Sequence, residues 1–185
     1  GLTESWRNRT AGVEYALCPG TAGGVFDPQR HALRNQRYPE IQTDMNAALN
    51  LMRQNNPRLR VLLTVSPVPL TATASGKHVL TATSYSKSVL RAVAGDLAAD
   101  HDWVDYFPSY EIITHPAFRG MFYASNQRSV VAKGVDHVME SFFEAQHSRF
   151  PQKTGRTGRK VGVGVADRGG RAVKCEEEML DAFAR

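Results

Sequence analysis

The sequence predicts an α/β fold with a parallel sheet, on three observations. An apolar run at 60–65, with Val61, Leu62, Leu63 and Val65, has turn residues at both ends. Such a short continuous run suits a strand buried on both faces of a parallel sheet. A helix over about 83–100 follows, with Val89, Leu90, Val93, Ala94 and Leu97 on one face at helical period. A second strand-like run, 103–107, comes next, so strand, crossover helix and parallel strand make one βαβ unit. Open α/β sheets bind their ligands beyond the carboxyl ends of the strands. Ser66-Pro67-Val68-Pro69 and Pro108-Ser109-Tyr110-Glu111 occupy those ends and mark where a site belongs.

The remaining elements follow in order. Residues 1–37 read as irregular, with turns at Cys18-Pro19-Gly20 and Gly23-Gly24 and short strands near 13–15 and 24–26. Pro39 suits the first turn of a helix running to about residue 54. Ile41, Met45, Ala48, Leu49 and Met52 form its apolar face, and Asn55-Asn56-Pro57 ends it. Residues 109–123 read as a broken helix with loops. A last helix over 132–147 is expected to turn Val135, Val138, Met139, Phe142 and Phe143 inward, and 176–183 suit a terminal helical turn. Two strands are too few for a stable doubly wound sheet. Further strands are therefore expected upstream of Gly1, with the chain as part of a larger domain.

Composition bounds the partners. At 185 residues, 42% apolar and 22% charged, the chain suits one soluble domain, and no run approaches a membrane span. The net charge of +5 is unevenly placed. Residues 148–174 hold eight Lys and Arg against Asp167, so the rest of the chain is mildly acidic. This Gly-rich basic stretch has little to stack on bases and reads as a solvated linker, with nucleic acid disfavoured. The expected organisation is a domain at 1–147, the linker at 148–174 and a short segment at 175–185. Cys18 and Cys175 have no metal-binding spacing and read as free thiols of a reducing, cytoplasmic compartment. No metal or other cofactor is expected.

Several residue sets could carry chemistry. Gly1-Leu2-Thr3 could present backbone N–H groups to an oxyanion. Ser66, between a strand end and two prolines, lacks a nucleophile elbow and suits a pocket wall. Ser84-x-x-Lys87, Ser125-Asn126-Gln127 and Lys153-Thr154-Gly155 match a serine β-lactamase set on paper. The last triplet, however, falls in the linker where a strand is required. Of six histidines, only His115, past the second strand, lies near the expected site edge.

Longer runs carry a resemblance. Leu63-Thr64-Val65-Ser66-Pro67-Val68-Pro69-Leu70-Thr71, Tyr85-Ser86-Lys87-Ser88-Val89-Leu90-Arg91 and Asp105-Tyr106-Phe107-Pro108-Ser109-Tyr110-Glu111-Ile112-Ile113 resemble the GSCFA-domain family of bacterial proteins. Gly1-Leu2-Thr3-Glu4-Ser5-Trp6 and Cys175-Glu176-Glu177-Glu178 resemble further blocks of it. The resemblance implies an SGNH (GDSL-like) hydrolase relationship and a flavodoxin-like three-layer α/β/α fold. It also implies hydrolysis of acyl esters, including acylated carbohydrate, by a Ser–His–Asp mechanism. Gly1 and Thr3 then fall in the oxyanion region and Ser66 in the pocket wall.

Two departures stand against activity. The Gly-Ser-Cys-Phe-Ala motif that would carry the nucleophile is not in this sequence, and is expected upstream. The Asp-x-x-His positions are Asn126 and Ser129. Asn cannot orient as an anion, Ser129 cannot accept a proton at neutral pH, and His115 is left as the substitute base. The alternative is an inactive binding or structural domain that keeps the pocket. The oligomeric state is left open.

Overall fold

The computed structural model describes residues 2–150, which form a mixed α/β fold. The chain divides into two compact units, Gly1–Met139 and Glu140–Arg185. The expected linker beyond residue 150 and the segment at 175–185 lie outside the described residues.

The amino-terminal region corrects the irregular reading. Strands β1 (Glu4–Asn8), β2 (Glu14–Tyr15) and β3 (His31–Asn35) form an antiparallel sheet in the order β2-β1-β3. Trp6 lies opposite Leu33 on one side and Tyr15 on the other. Asn8 turns the first hairpin, its Oδ1 accepting the Thr10 and Ala11 N–H groups, both at 3.0 Å. Gly12 beside it has φ +70°, a conformation that favours glycine. Strands β1 and β3 are largely polar and almost uniformly half-buried, and β2 is exposed, so they show no alternation of apolar residues. The expected strand at 13–15 is present as β2, whereas 24–26 forms bends.

Helix α1 (Tyr38–Asn55) starts with Pro39 in its first turn, and the Glu40 carboxylate accepts the Arg37 N–H at 2.7 Å. Strand β4 (Val61–Leu63), helix α2 (Val79–Asp100) and strand β5 (Val104–Tyr106) form the expected βαβ unit. The two strands are parallel, pairing Val61 with Val104 and Leu63 with Tyr106. Helix α2 begins four residues before its predicted start. His78 caps it, with Nδ1 accepting the Leu80 N–H at 3.3 Å, and the Val79–Ala82 stretch is helical rather than loop.

The core is Ile41 and Leu49 of α1, Val93 and Leu97 of α2, and Val104 of β5, with Val61 and Leu63 packed against it. Both helices therefore cover the same face of the parallel pair. The opposite face carries Leu62, paired with Asp105, and Leu62 is 44% exposed. This corrects the expectation of burial on both faces.

Helix α3 (Ser109–Thr114), a 3₁₀ turn (Pro116–Phe118) and helix α4 (Ala132–Arg149) follow. The inward face predicted for α4 is corrected in part: Val135, Met139 and Phe143 are exposed, Val138 and Phe142 are half-buried, and Gly134 is its one fully buried residue. A Cβ on Gly134 would lie 2.9 Å from Val130 Cγ1 and 3.0 Å from Phe122 Cβ, so only glycine lets the helix approach this closely.

Candidate functional site

The carboxyl ends of β4 and β5 are stitched together by hydroxyls. Ser109 Oγ donates to the Val65 carbonyl at 3.1 Å and also meets Thr64 Oγ1, which donates to the Phe107 carbonyl at 2.9 Å. The Ser-Pro-Val-Pro segment leaves β4 from this point, with Val65 and Leu70 buried. Ser66 is half-buried, and its Oγ accepts the Val68 N–H at 3.2 Å. The Leu70 N–H donates to Thr83 Oγ1 of α2 at 3.1 Å.

A hairpin-like turn at 123–130 is tied to this segment. Tyr123 and Val130 bridge antiparallel, with Ala124 N–H donating to the Ser129 carbonyl at 2.8 Å. The Tyr123 hydroxyl donates to the Pro67 carbonyl at 2.9 Å, and burial raises its pKa. Arg128 Nη2 donates to Thr71 Oγ1 at 2.7 Å and to the Pro69 carbonyl at 3.3 Å. At the tip, Asn126 Oδ1 accepts the Arg128 and Ser129 N–H groups, and its Nδ2 donates to Ser129 Oγ at 2.9 Å. The two positions read as triad remnants are therefore in direct contact. Gln127 between them has φ +56°. His115 is exposed and turned elsewhere: its Nδ1 accepts the Ala117 N–H at 3.2 Å and caps the 3₁₀ turn.

Thr3 belongs to a different constellation. It is fully buried; its N–H donates to Ser86 Oγ at 3.3 Å, and its hydroxyl meets Ser86 Oγ and Asn35 Oδ1, both at 2.7 Å. With its donors engaged inside the protein, Thr3 suits holding its neighbours in place rather than meeting a substrate. Gly1 lies outside the described residues. Next to Ser86, Lys87 is 2% exposed, and burial brings its ammonium down to about 8. The apolar period of α2 carries a signal for it, since Lys87 stands three and seven residues before Leu90 and Ala94 on the inner face.

Sequence reasoning also missed a cluster at the end of β5. Glu111 of α3 is gripped by Arg91 Nε of α2 and by the Tyr106 hydroxyl at 2.9 Å. The Arg91 guanidinium lies 4.0 Å over the Tyr106 ring. Burial opposes ionisation of Glu111, but the bonds from Arg91 and Tyr106 outweigh it and hold the carboxyl below its ordinary range. Burial, then the bond to Glu111, pushes the Tyr106 phenol up. The signal was a glutamate five residues past the end of β5, facing an arginine on the crossover helix.

Among the described residues, no three His, Cys, Asp or Glu side chains converge as a metal site, and no helix is long and apolar enough to cross a membrane. Cys18 is a free thiol, and Cys175 lies outside the described residues. Compared with known proteins, residues 1–142 match the model of the GSCFA family. No curated protein and no solved structure matches the chain.

Proposed function

The chain belongs to the GSCFA family, and on that footing we propose that it is an SGNH-type acyl-ester hydrolase domain, with an acylated carbohydrate as its substrate class. The parallel pair β4–β5 is then the part of a flavodoxin-like sheet whose carboxyl ends bear the site. The observation that carries this reading is the tether between the two candidate segments. Tyr123 and Arg128 hold the turn bearing Asn126 and Ser129 against the Ser66–Thr71 loop at the end of β4. In this arrangement Ser66 and the prolines wall the pocket, and Thr3 fixes the start of β1 on α2. Arg91 and Tyr106 hold α3 over the end of β5.

Acyl transfer needs a nucleophile, a base that takes its proton, and donors at the developing oxyanion. The motif expected to supply the nucleophile does not occur in residues 1–185. At the base position, Ser129 accepts a hydrogen bond from Asn126 and has no basic nitrogen. This contact favours a second reading, a binding domain that holds the ester and leaves it intact. The test is turnover of 4-nitrophenyl acetate and an acetylated oligosaccharide, together with fluorophosphonate labelling mapped by mass spectrometry. Turnover with one labelled serine supports the hydrolase. Saturable ester binding without turnover supports the second reading, and neither binding nor turnover removes both.

A further inference from the structure

We propose that the hollow between β2, β3 and the 16–25 loop is a binding site for a neutral pyranose sugar. It is an open hollow of about 670 Å3, lined by Glu14, Tyr15, Leu17, Cys18, Val25 and His31, among others. That volume lies within the range of small-ligand sites. The inference stands on these side chains alone and does not require the hydrolase reading.

Three features select the ligand. The first is a rigid ring wall. The wall rings are Tyr15 and His31, edge-on to each other at 6.0 Å; Phe26, itself edge-on to Trp6 at 5.4 Å, lies outside the lining and backs His31 at 5.9 Å. Aromatic rings held in this way give an apolar face on which the C–H side of a pyranose can lie. The second is a set of polar groups with capacity left over. His31 Nδ1 accepts the Asp27 N–H at 3.1 Å, so the neutral ring carries its proton on Nε2. The Tyr15 hydroxyl accepts from Asn8 Nδ2 at 3.3 Å and keeps its own proton to donate. Glu14 pairs with Arg7, so its carboxylate, bonded to Ser5 at 2.8 Å and to Arg34, is on the other face of the sheet from the Tyr15 and His31 rings, and the polar side-chain groups offered to a ligand are His31 Nε2 and the Tyr15 hydroxyl.

The third is charge balance. Arg34 already neutralises Glu14, and no lysine or arginine is among the described residues that line the hollow. A phosphate or carboxylate finds no counter-charge there, and a cation finds no carboxylate beside the two rings, that of Glu14 being across the sheet and paired with Arg34. What fits is an uncharged molecule with one apolar face and a rim of hydroxyls.

The test is calorimetric titration of the full chain with glucose, galactose, N-acetylglucosamine and their β-linked disaccharides, with glucuronate and inorganic phosphate as charged controls. Saturable binding of a neutral sugar, with Kd of about 1 mM or tighter, is expected. Tyr15→Leu should weaken it roughly 10-fold by removing the ring and its hydroxyl. Because Tyr15 is part of β2, a second variant guards against misfolding. Gly23 lines the hollow and a Cβ on it meets no atom within 4 Å, so Gly23→Leu adds bulk at the lining without a clash and should weaken binding. In a Cys175→Ala background, bound sugar should also slow thiol labelling of Cys18. Absence of binding by folded protein, tighter binding of the charged controls, or binding indifferent to Gly23→Leu would each overturn the proposal.

Discussion

Two polar clusters in this molecule contain similar chemical groups and treat them in opposite ways. Thr3, just before β1, bonds to Asn35 of β3 and Ser86 of α2, with Thr3 and Ser86 fully buried and the next residue of α2, Lys87, buried as well. Asn126 and Ser129 meet across a four-residue turn whose tip faces solvent. In the first, water is gone and each donor must find a protein acceptor, so the groups act as constraints on the fold. In the second, water can replace any lost bond, so the groups are cheap to change and open to a ligand. Burial, not residue type, separates scaffold from candidate chemistry here.

The buried cluster should show the largest response. Lys87 has a folded pKa of about 8 against an ordinary 10.5. Below pH 8 both folded and unfolded chains hold the proton, and the folded state bears the cost of burying it. Between about 8 and 10.5 the unfolded chain holds more protons, so stability should rise with pH by up to about 3 kcal/mol. Urea unfolding across that window should show the rise in the native chain and not in Lys87→Met; an equal rise in both would assign it to another group.

Thr3→Val removes a hydroxyl that serves both Ser86 and Asn35, and should cost about 2 kcal/mol. Combined with Ser86→Ala it should cost much less than the sum of the single changes, and strict additivity would deny the coupling. Gly134→Ala tests the base of the exposed turn. Alanine is the better helix former by about 1 kcal/mol. Yet its methyl would press on Val130 and Phe122, so thermal melting should show a net loss of roughly 1–2 kcal/mol.

At the tip itself, Asn126→Ala should shift stability by no more than about 0.5 kcal/mol. Its value lies in the converse experiment. If fluorophosphonate labelling finds an activated serine in this chain and the turn is a triad remnant, Asn126→Asp with Ser129→His should raise ester turnover, where general base catalysis is worth about 10²-fold or more. Unchanged turnover beside unchanged melting would sever this turn from catalysis.

The βαβ unit was legible because its signals are local: a β-branched run, a helical apolar period, a second run, and turns between them. The inner face of α2 was legible for the same reason, with Val93, Ala94 and Leu97 buried as expected. The antiparallel sheet was not, since Glu4–Asn8 and His31–Asn35 are polar, half-buried on both faces and paired across 22 or more residues. The face of α4 was misjudged because a helical apolar stripe states which residues share a side, and not which side meets the core. In the candidate site, the strand ends were readable from the apolar runs, whereas Asn126 and Ser129 were singled out only by the family resemblance. The Arg91–Tyr106–Glu111 grip and the Thr3–Ser86 bond depend on how distant elements dock, which no local pattern records.

The Thr3–Ser86 contact joins residues 83 apart in the chain, and this separation bears on the order of folding. Closing so long a loop is entropically costly, while α2 and its βαβ neighbours can organise through shorter closures. The amino-terminal sheet should therefore dock on α2 after the main barrier has been crossed. Substitutions at Thr3 would then leave the refolding rate nearly untouched and appear as faster unfolding. The same bond that locks β1 onto α2 would act as a latch on the lifetime of the native state.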